Sequence, residues 1–355
     1  MSDSAHSPRI GITHDNIHLS KPTWRDLTES RDVSAEGSVH GCADPKVLEF
    51  ITAATASNTR RAYQSDLTHF LAWGGSIPAG RDTVAEYIAA HAKTFSMATL
   101  ARRVVAIRRA HAVRGLPDPT RLELVRLTLR GARRLHGCPQ RRVAPLRIEQ
   151  LSAIVFVLSG STRDVRDRAL LLIGFSGAFR RSELSAVDCK WIERTEQGIE
   201  ITLPRSKTDQ EGKGRRVAIA RVGGPICPVA ALDSWLQVSG IADGPLFRPV
   251  SKVGRVLESR LSASAIAIVV KERAAQIGLA PERYSGHSLR AGFATSAAAA
   301  GLSVWQIKGQ TGHASDAALG SYIREADSFR GMAAVWSSVS EEPSRIPLGM
   351  RSPVA

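Results

Sequence analysis

Cysteine, methionine and aromatic residues are scarce in this 355-residue sequence, with four Cys, four Met and only 5% Phe, Trp and Tyr. The cysteines, Cys42, Cys138, Cys189 and Cys227, lie far apart and form no C-x-x-C pair. That spacing argues against a zinc site and against a disulfide framework, and it fits a reducing compartment. Long apolar runs are missing as well. The longest, such as Ala169–Phe175 and Ala265–Val270, fall far below the roughly 20 residues needed to span a bilayer. Met1–Ile10 has no basic start followed by an apolar core, so no secretory signal and no membrane association are expected. No glycine-rich phosphate loop occurs, which excludes the usual apparatus of nucleotide hydrolysis.

Acidic residues are also in deficit, 33 Asp and Glu against 48 Lys and Arg, for a formal net charge of +15. A surplus of this size favours polyanionic partners without choosing a fold. Most of the basic residues are arginine, whose planar fork suits bidentate contact with phosphate. With 43% hydrophobic residues the chain can build a sizeable core, and its length suggests about two domains plus tails.

Periodicity divides the chain. Residues 1–44 are polar and aperiodic and read as a flexible tail. Residues 45–136 read as an all-helical module. Asn58 or Ser57 is the expected cap of a first helix that runs through Trp73 and stops at Gly74-Gly75, with Tyr63, Leu67, Phe70 and Leu71 at helical spacing. Asp82 is the expected cap of a second helix and Ser96 of a third, while a fourth runs from about Thr120 to Leu135. Between Arg102 and Arg142 stand twelve arginines opposed only by Asp118 and Glu123, a local charge of +10. A charged helix face is commonly just solvated, but this density resembles a footprint for DNA phosphates. Arg60, Arg102, Arg103, Arg108, Arg109, Arg133, Arg134, Arg141 and Arg142 are the candidate contacts. Residues 137–145, with Gly, two Pro and two Arg, read as a basic linker.

A second domain is expected over 146–337. Ile148–Leu158 and Asp164–Phe175 read as buried helices. Alternation at Ile199, Ile201 and Leu203 and at Val217 and Ile219 predicts two strands about a polar turn, with a further strand near Cys189–Glu193. Helices follow at Pro228–Val238, Ser262–Ile277 and Gly286–Ala300. Residues 338–355, with three Pro, read as a disordered tail. The fold class is therefore α+β, mainly helical, with a small antiparallel sheet in the second domain.

Five short pieces of that domain stand out: Gly177-Ala-Phe-Arg180-Arg-Ser-Glu183-Leu, Ser206-Lys207-Thr-Asp, His287-Ser-Leu-Arg290, Gly312-His313 and Ser321-Tyr322. In this order and spacing they resemble the tyrosine recombinase (phage integrase) family over about residues 146–337. A weaker similarity extends to Asn58-Thr-Arg-Arg-Ala-Tyr63, Asp66 and Phe70, which look like that family's core-binding domain. The resemblance implies an N-terminal all-α, SAM-like core-binding domain and a C-terminal mixed α/β catalytic domain.

The implied chemistry is DNA breakage and rejoining through a covalent 3′-phosphotyrosine. A phenol, of ordinary pKa about 10, attacks phosphorus, and the bond energy is kept on the enzyme until a 5′-hydroxyl attacks in turn. Charge gathers on the non-bridging oxygens in the transition state, where fixed guanidiniums and hydrogen-bond donors are most effective. The resemblance gives Tyr322 the role of nucleophile and makes Arg180 and Arg290 phosphate clamps. His313 would be a further donor to the phosphate, and His287 a proton carrier. Lys207 would be the acid that protonates the leaving oxygen, with Lys213 a nearby competitor, and Glu183 a supporting carboxylate. Each residue alone has a bland reading as a surface charge, a helix-end histidine or a packing tyrosine; six in the right order outweigh those readings.

Two departures are visible. Thr311 stands where the family commonly has leucine, and Ala291-Gly292 where it often has His-Thr. No cofactor and no metal are expected, since Glu183 has no acidic partner among the motifs. The expected partners are double-stranded DNA recombination sites, bound by a homotetramer on two sites, with a monomer compatible with the free state. Ala326–Trp336 forms an amphipathic stretch suited to packing on its own core or on a neighbouring subunit. The expected location is cytoplasmic and DNA-associated. Two other readings remain: a DNA-relaxing topoisomerase with the same tyrosine chemistry, and a silent DNA-binding regulator, against which the intact reactive set argues.

Overall fold

The structure, a computed structural model, describes residues 50, 54–138, 143–204, 214–313, 315–316, 319–320 and 322. The chain divides into two compact units, Met1–Arg141 and Arg142–Ala355. Lys207, Arg141 and Arg142, the two tails and Ala326–Trp336 lie outside the described residues.

The first unit is all helical: α1 (Ser57–Ala72), α2 (Arg81–His91), α3 (Met97–Val113) and α4 (Glu123–His136). Each contributes an apolar stripe to one core, with Leu67 and Phe70 from α1, Val84, Tyr87 and Ile88 from α2, Leu100, Val104 and Ile107 from α3, and Val125 and Ala132 from α4. Ser96 caps α3, its hydroxyl accepting from the Thr99 N–H at 3.2 Å. Neither Ser57 nor Asn58 caps α1, since both lie inside its first turn after Ala56, which makes no side-chain cap bond. Asp82 does not cap α2 either. Gly80 occupies that position and Asp82 lies inside the first turn, where its charge favours the helix N-terminus without closing it. The fourth helix starts at Glu123 rather than near Thr120, because Pro119–Arg121 forms a separate tight turn under the Asp118 side chain.

The second unit contains α5 (Ile148–Val157), α6 (Thr162–Ser176), α7 (Arg181–Ala186), α8 (Pro228–Ser239), α9 (Ala263–Gln276), α10 (His287–Ala299) and α11 (Val304–Thr311). Its antiparallel sheet has the order β1 (Ile192–Thr195), β2 (Gly198–Leu203), β3 (Arg215–Ala220). The register pairs Ile199 with Ile219, Ile201 with Val217 and Leu203 with Arg215. The alternating apolar side chains of β2 and β3 are buried, as their period of two requires. The expected strand near Cys189–Glu193 begins later, at Ile192, after a tight turn at Cys189–Trp191. It is a mostly exposed edge strand, so no apolar alternation marks it.

A buried ionic network joins α6 to α9. Arg273 bonds Asp164 at 2.7 Å and Asp167 at 2.6 Å, and Arg166 closes on Asp167 at 2.6 Å. Helix α10 is held close to the chain entering the unit, with the Leu146 N–H donating to the Ser288 carbonyl at 2.9 Å. A Cβ on Gly292 would lie 1.8 Å from the Leu146 carbonyl oxygen. Glycine is therefore required there by contact with backbone, which gives the departure at Ala291-Gly292 a physical reason. Among the described residues, no helix is long and apolar enough to cross a membrane.

Candidate active site

The reactive residues gather where four pieces of chain end near one another. Helix α6 stops at Gly177, and Ala178 takes a left-handed backbone (φ 47°), a conformation costing a residue with a Cβ roughly 1–2 kcal/mol. Arg180 follows after the buried Phe179 and stands at the entrance to α7. Glu183, in the first turn of α7, binds back to it. Its Oε2 accepts from the Arg180 backbone N–H at 2.9 Å, and its Oε1 accepts from Arg180 Nη1 at 2.6 Å. A carboxylate three residues after a helix entrance commonly reaches back this way; here the reach also fixes a guanidinium.

Helix α11 supplies the centre of the arrangement. Its last carbonyls have no partner within the helix, and three arginines fill them in succession. Arg215 Nη1 donates to the Gln310 carbonyl at 2.5 Å, Arg290 Nη1 to the Thr311 carbonyl, and Arg180 Nη2 to the Gly312 carbonyl at 3.2 Å. The negative end of the helix dipole favours cations here. Gly312 ends the helix in the left-handed region (φ 62°) and turns the chain so that His313 enters the cluster. The Gln310 amide anchors this helix end, donating to the Ser176 carbonyl at 2.6 Å and the Ala218 carbonyl at 2.9 Å.

Arg290, three residues along α10 from His287, is the most enclosed member, at 1% exposure. Its Nη1 also reaches the Ala178 carbonyl at 2.9 Å, yet Nε and Nη2 find no acceptor among the described residues. Burial, and then the charge of Arg180, lower its pKa to about 10, which leaves it charged at neutral pH. His287 keeps a solvent-open face at the start of α10, but the protein around it and the charges of Arg290, Arg180 and Arg181 lower its pKa. His313 is pushed down to about 4 by burial and then by the charges of Arg290, Arg180, His287 and Arg215. Both imidazoles are thus neutral donors or acceptors at pH 7. His313 Nδ1 lies 2.8 Å from the Thr311 hydroxyl. If that hydroxyl donates, the ring proton sits on Nε2 and can be given to an anion. The departure at Thr311 therefore touches a reactive group directly.

Tyr322 lies beside this cluster. Leu319, fully buried, seats the segment on Ala294, Ala298 and Ile307, and Tyr322 packs against the same residues. The Tyr322 and His313 rings are 6.2 Å apart. Arg180, Glu183, His287, Arg290, His313 and Tyr322 are thereby brought together; Lys207 is outside the described residues. Among the described residues, no group of His, Cys, Asp or Glu could hold a metal ion. An apolar cavity of about 590 Å³ between Leu172, Phe175, Ile226 and Phe293 is lined by no titratable group, and Ser176 and Gln310, which hold the end of α11, form part of its wall.

Sequence reasoning missed Arg215. It shares Glu183 Oε2 at 3.2 Å. The available signal was its position two residues before Val217, which puts it on the inward face of β3.

The arginines proposed as phosphate contacts in the first unit divide. Arg108, Arg133 and Arg134 are exposed. Arg109 is also exposed and reaches the Thr55 hydroxyl at 3.4 Å, while Arg60 bonds the Thr55 carbonyl at 2.6 Å. Arg102 is half exposed and pairs bidentately with buried Asp66, at 2.7 and 3.0 Å. Arg103 departs from the expectation. It is buried, with its guanidinium 3.8 Å over the Phe95 ring, 3.1 Å from the Tyr87 hydroxyl and 3.6 Å from Asp66. On the inward side of α3 its guanidinium is taken up by contacts within the helical module.

A family model described as the phage integrase family matches residues 145–328. An integrase/recombinase XerD homologue of Selenomonas ruminantium is 36% identical over 302 residues, 81% of this chain and 87% of that protein. The recombinase Cre of Escherichia phage P1 is 28% identical over 277 residues, 72% and 78% of the two chains. Among solved structures, the XerH site-specific recombinase in a post-cleavage complex with its palindromic difH substrate matches with a TM-score of 0.56 at 17% identity, covering 86% of this chain and 87% of that one. A lambda integrase dimer bound to a core site gives 0.52 at 15% identity, covering 86% and 98%. At such identities the two structures bear on fold alone.

Proposed function

The chain belongs to the phage integrase family, and we propose that it is a site-specific tyrosine recombinase that breaks and rejoins DNA through Tyr322. The observation that carries this reading is Arg290, a charged and enclosed guanidinium beside Tyr322 with two donors that find no acceptor among the described residues. Buried donors are ordinarily satisfied. A phosphodiester oxygen is an acceptor of the right charge, and Arg180 is positioned to share it.

In this mechanism the Tyr322 oxygen attacks phosphorus and its proton passes to His287 or solvent. Arg180 and Arg290 hold the two non-bridging oxygens as they gain charge, and His313 donates from Nε2. The P–O bond to the 5′-oxygen breaks as Lys207 supplies a proton, leaving a 3′-phosphotyrosine. Attack by the 5′-hydroxyl of another strand reverses each transfer. The number of phosphoester bonds is unchanged, so no nucleotide hydrolysis is needed.

The exposed arginines of α3 and α4 suit contact with the duplex backbone, and strand exchange between two double-stranded sites calls for a homotetramer. The test is Tyr322→Phe on DNA carrying the chain's own site, located by footprinting the inverted repeats beside its gene. Site binding should persist while covalent adduct on a denaturing gel disappears. An equally strong adduct from the variant would end the proposal.

A further inference from the structure

Arg215 has no role in the mechanism above, yet it is built into the site as firmly as Arg180. Its side chain is 14% exposed, against 16% for Arg180. One end, Nη2, shares Glu183 Oε2 with the Arg180 backbone N–H, and the other, Nη1, takes the Gln310 carbonyl. Between them the stem lies over Gly312, where a Cβ would come within 3.0 Å of Arg215 Cδ and 3.2 Å of Nε. Strand alternation explains why a charge is here at all, because residue 215 faces inward with Val217 and Ile219. An arginine placed there by packing alone would have no reason to bridge the carboxylate that fixes Arg180 to the turn that carries His313.

We infer that Arg215 is a positioning residue for the strand-cleavage reaction, clasping Glu183 and the α11 C-terminus so that Arg180 and His313 meet the scissile phosphate in one fixed geometry. Its charge matters as well as its reach. Glu183 alone would neutralise the Arg180 that it anchors. With Arg215 on the same carboxylate, three guanidiniums stand against one acid and leave two net positive charges. A phosphodiester carries one negative charge and its pentacoordinate transition state two, so the site matches the transition state better than the substrate. Burial and the charge of Arg180 lower the pKa of Arg215 while Glu183 holds it up, as expected of a guanidinium enclosed for a purpose other than solubility.

The inference rests on Arg180 being a phosphate clamp, and the test separates the two. Single-turnover adduct formation is measured for the wild type, Arg215→Met, Arg180→Met and the double variant. The substrates are suicide duplexes with either an ordinary scissile phosphate or a methylphosphonate, in which a neutral methyl replaces one charged oxygen. Arg215→Met should slow adduct formation on the ordinary duplex on the order of 10²-fold, the scale of a displaced catalytic group. That loss should shrink to a few-fold both in the Arg180→Met background and on the methylphosphonate, where the clamp has less charge to hold. A wild-type rate for Arg215→Met overturns the inference. So does a loss that multiplies fully with Arg180→Met and persists on the neutral substrate, as a merely structural residue would give. If instead Arg180→Met cleaves the ordinary duplex normally, the clamp reading itself fails. Should Arg215→Met not fold, Arg215→Lys, which keeps the charge but cannot bridge both partners, carries the same cycle and is judged by the same two criteria.

Discussion

Glu183→Gln separates stability, binding and catalysis in opposite directions. The carboxylate is 4% exposed and serves two guanidiniums, themselves 16% and 14% exposed, at 2.6 and 3.2 Å. Removing one partner of a buried ionic group costs about 3–5 kcal/mol. The amide of glutamine keeps one neutral acceptor, so the lower end, about 3 kcal/mol, is expected. For a unit of this size that lowers Tm by about 6–12 °C, read by calorimetry on the transition of the second unit. The substitution also raises the net charge of the cluster by one, so affinity for DNA should hold or rise while cleavage falls as Arg180 loses its anchor. Filter binding and single-turnover adduct formation on the same duplex read the two quantities. Equal losses of binding and cleavage, or an unchanged Tm, would refute the view that Glu183 holds the arginines rather than contributing generally to the fold.

Further outcomes follow from the same geometry. Gly292→Ala places a methyl 1.8 Å from the Leu146 carbonyl oxygen. Because backbone has to move, it should destabilise by about 3 kcal/mol, seen as a lower denaturation midpoint; an unchanged midpoint would refute the close approach. His313, held at about 4 against an ordinary 6.5, should stay neutral across pH 5–8 in DNA-free protein and shift upward when a phosphate offsets the guanidiniums, as read by ¹⁵N-detected NMR. The unfolded chain takes up that proton first, so this group's contribution to stability is present above pH 6.5 and lost as pH falls toward 4. A free-protein titration near 6.5 would contradict the enclosed site.

Why Arg215 was invisible beforehand, although Arg180 and Tyr322 were not, is a matter of which physics each position records. Arg180, His287, Arg290, His313 and Tyr322 stand in short motifs whose order resembles a known family, and local marks such as Gly177 and Gly312 show where the helices before Arg180 and His313 stop. Helix α11 ends at Gly312 because a left-handed residue is needed there, and the reactive histidine follows directly. The helices and the paired strands were legible for the same reason, since periodicity is a local property. Arg103 and Arg215 are set by tertiary facing instead. Each stands beside another arginine; nothing in Arg102-Arg103 says which turns inward, and at Arg215-Arg216 only the alternation with Val217 and Ile219 marks the inward one. For Arg103 the answer lies 37 residues away at Asp66, and for Arg215 at Glu183 and Gln310. Charge density therefore predicts a polyanion-binding chain but overcounts its phosphate contacts. Some of the arginines that raise the net charge are the ones that hold the molecule in shape, and pairing each cation with its buried acid is what divides the two groups.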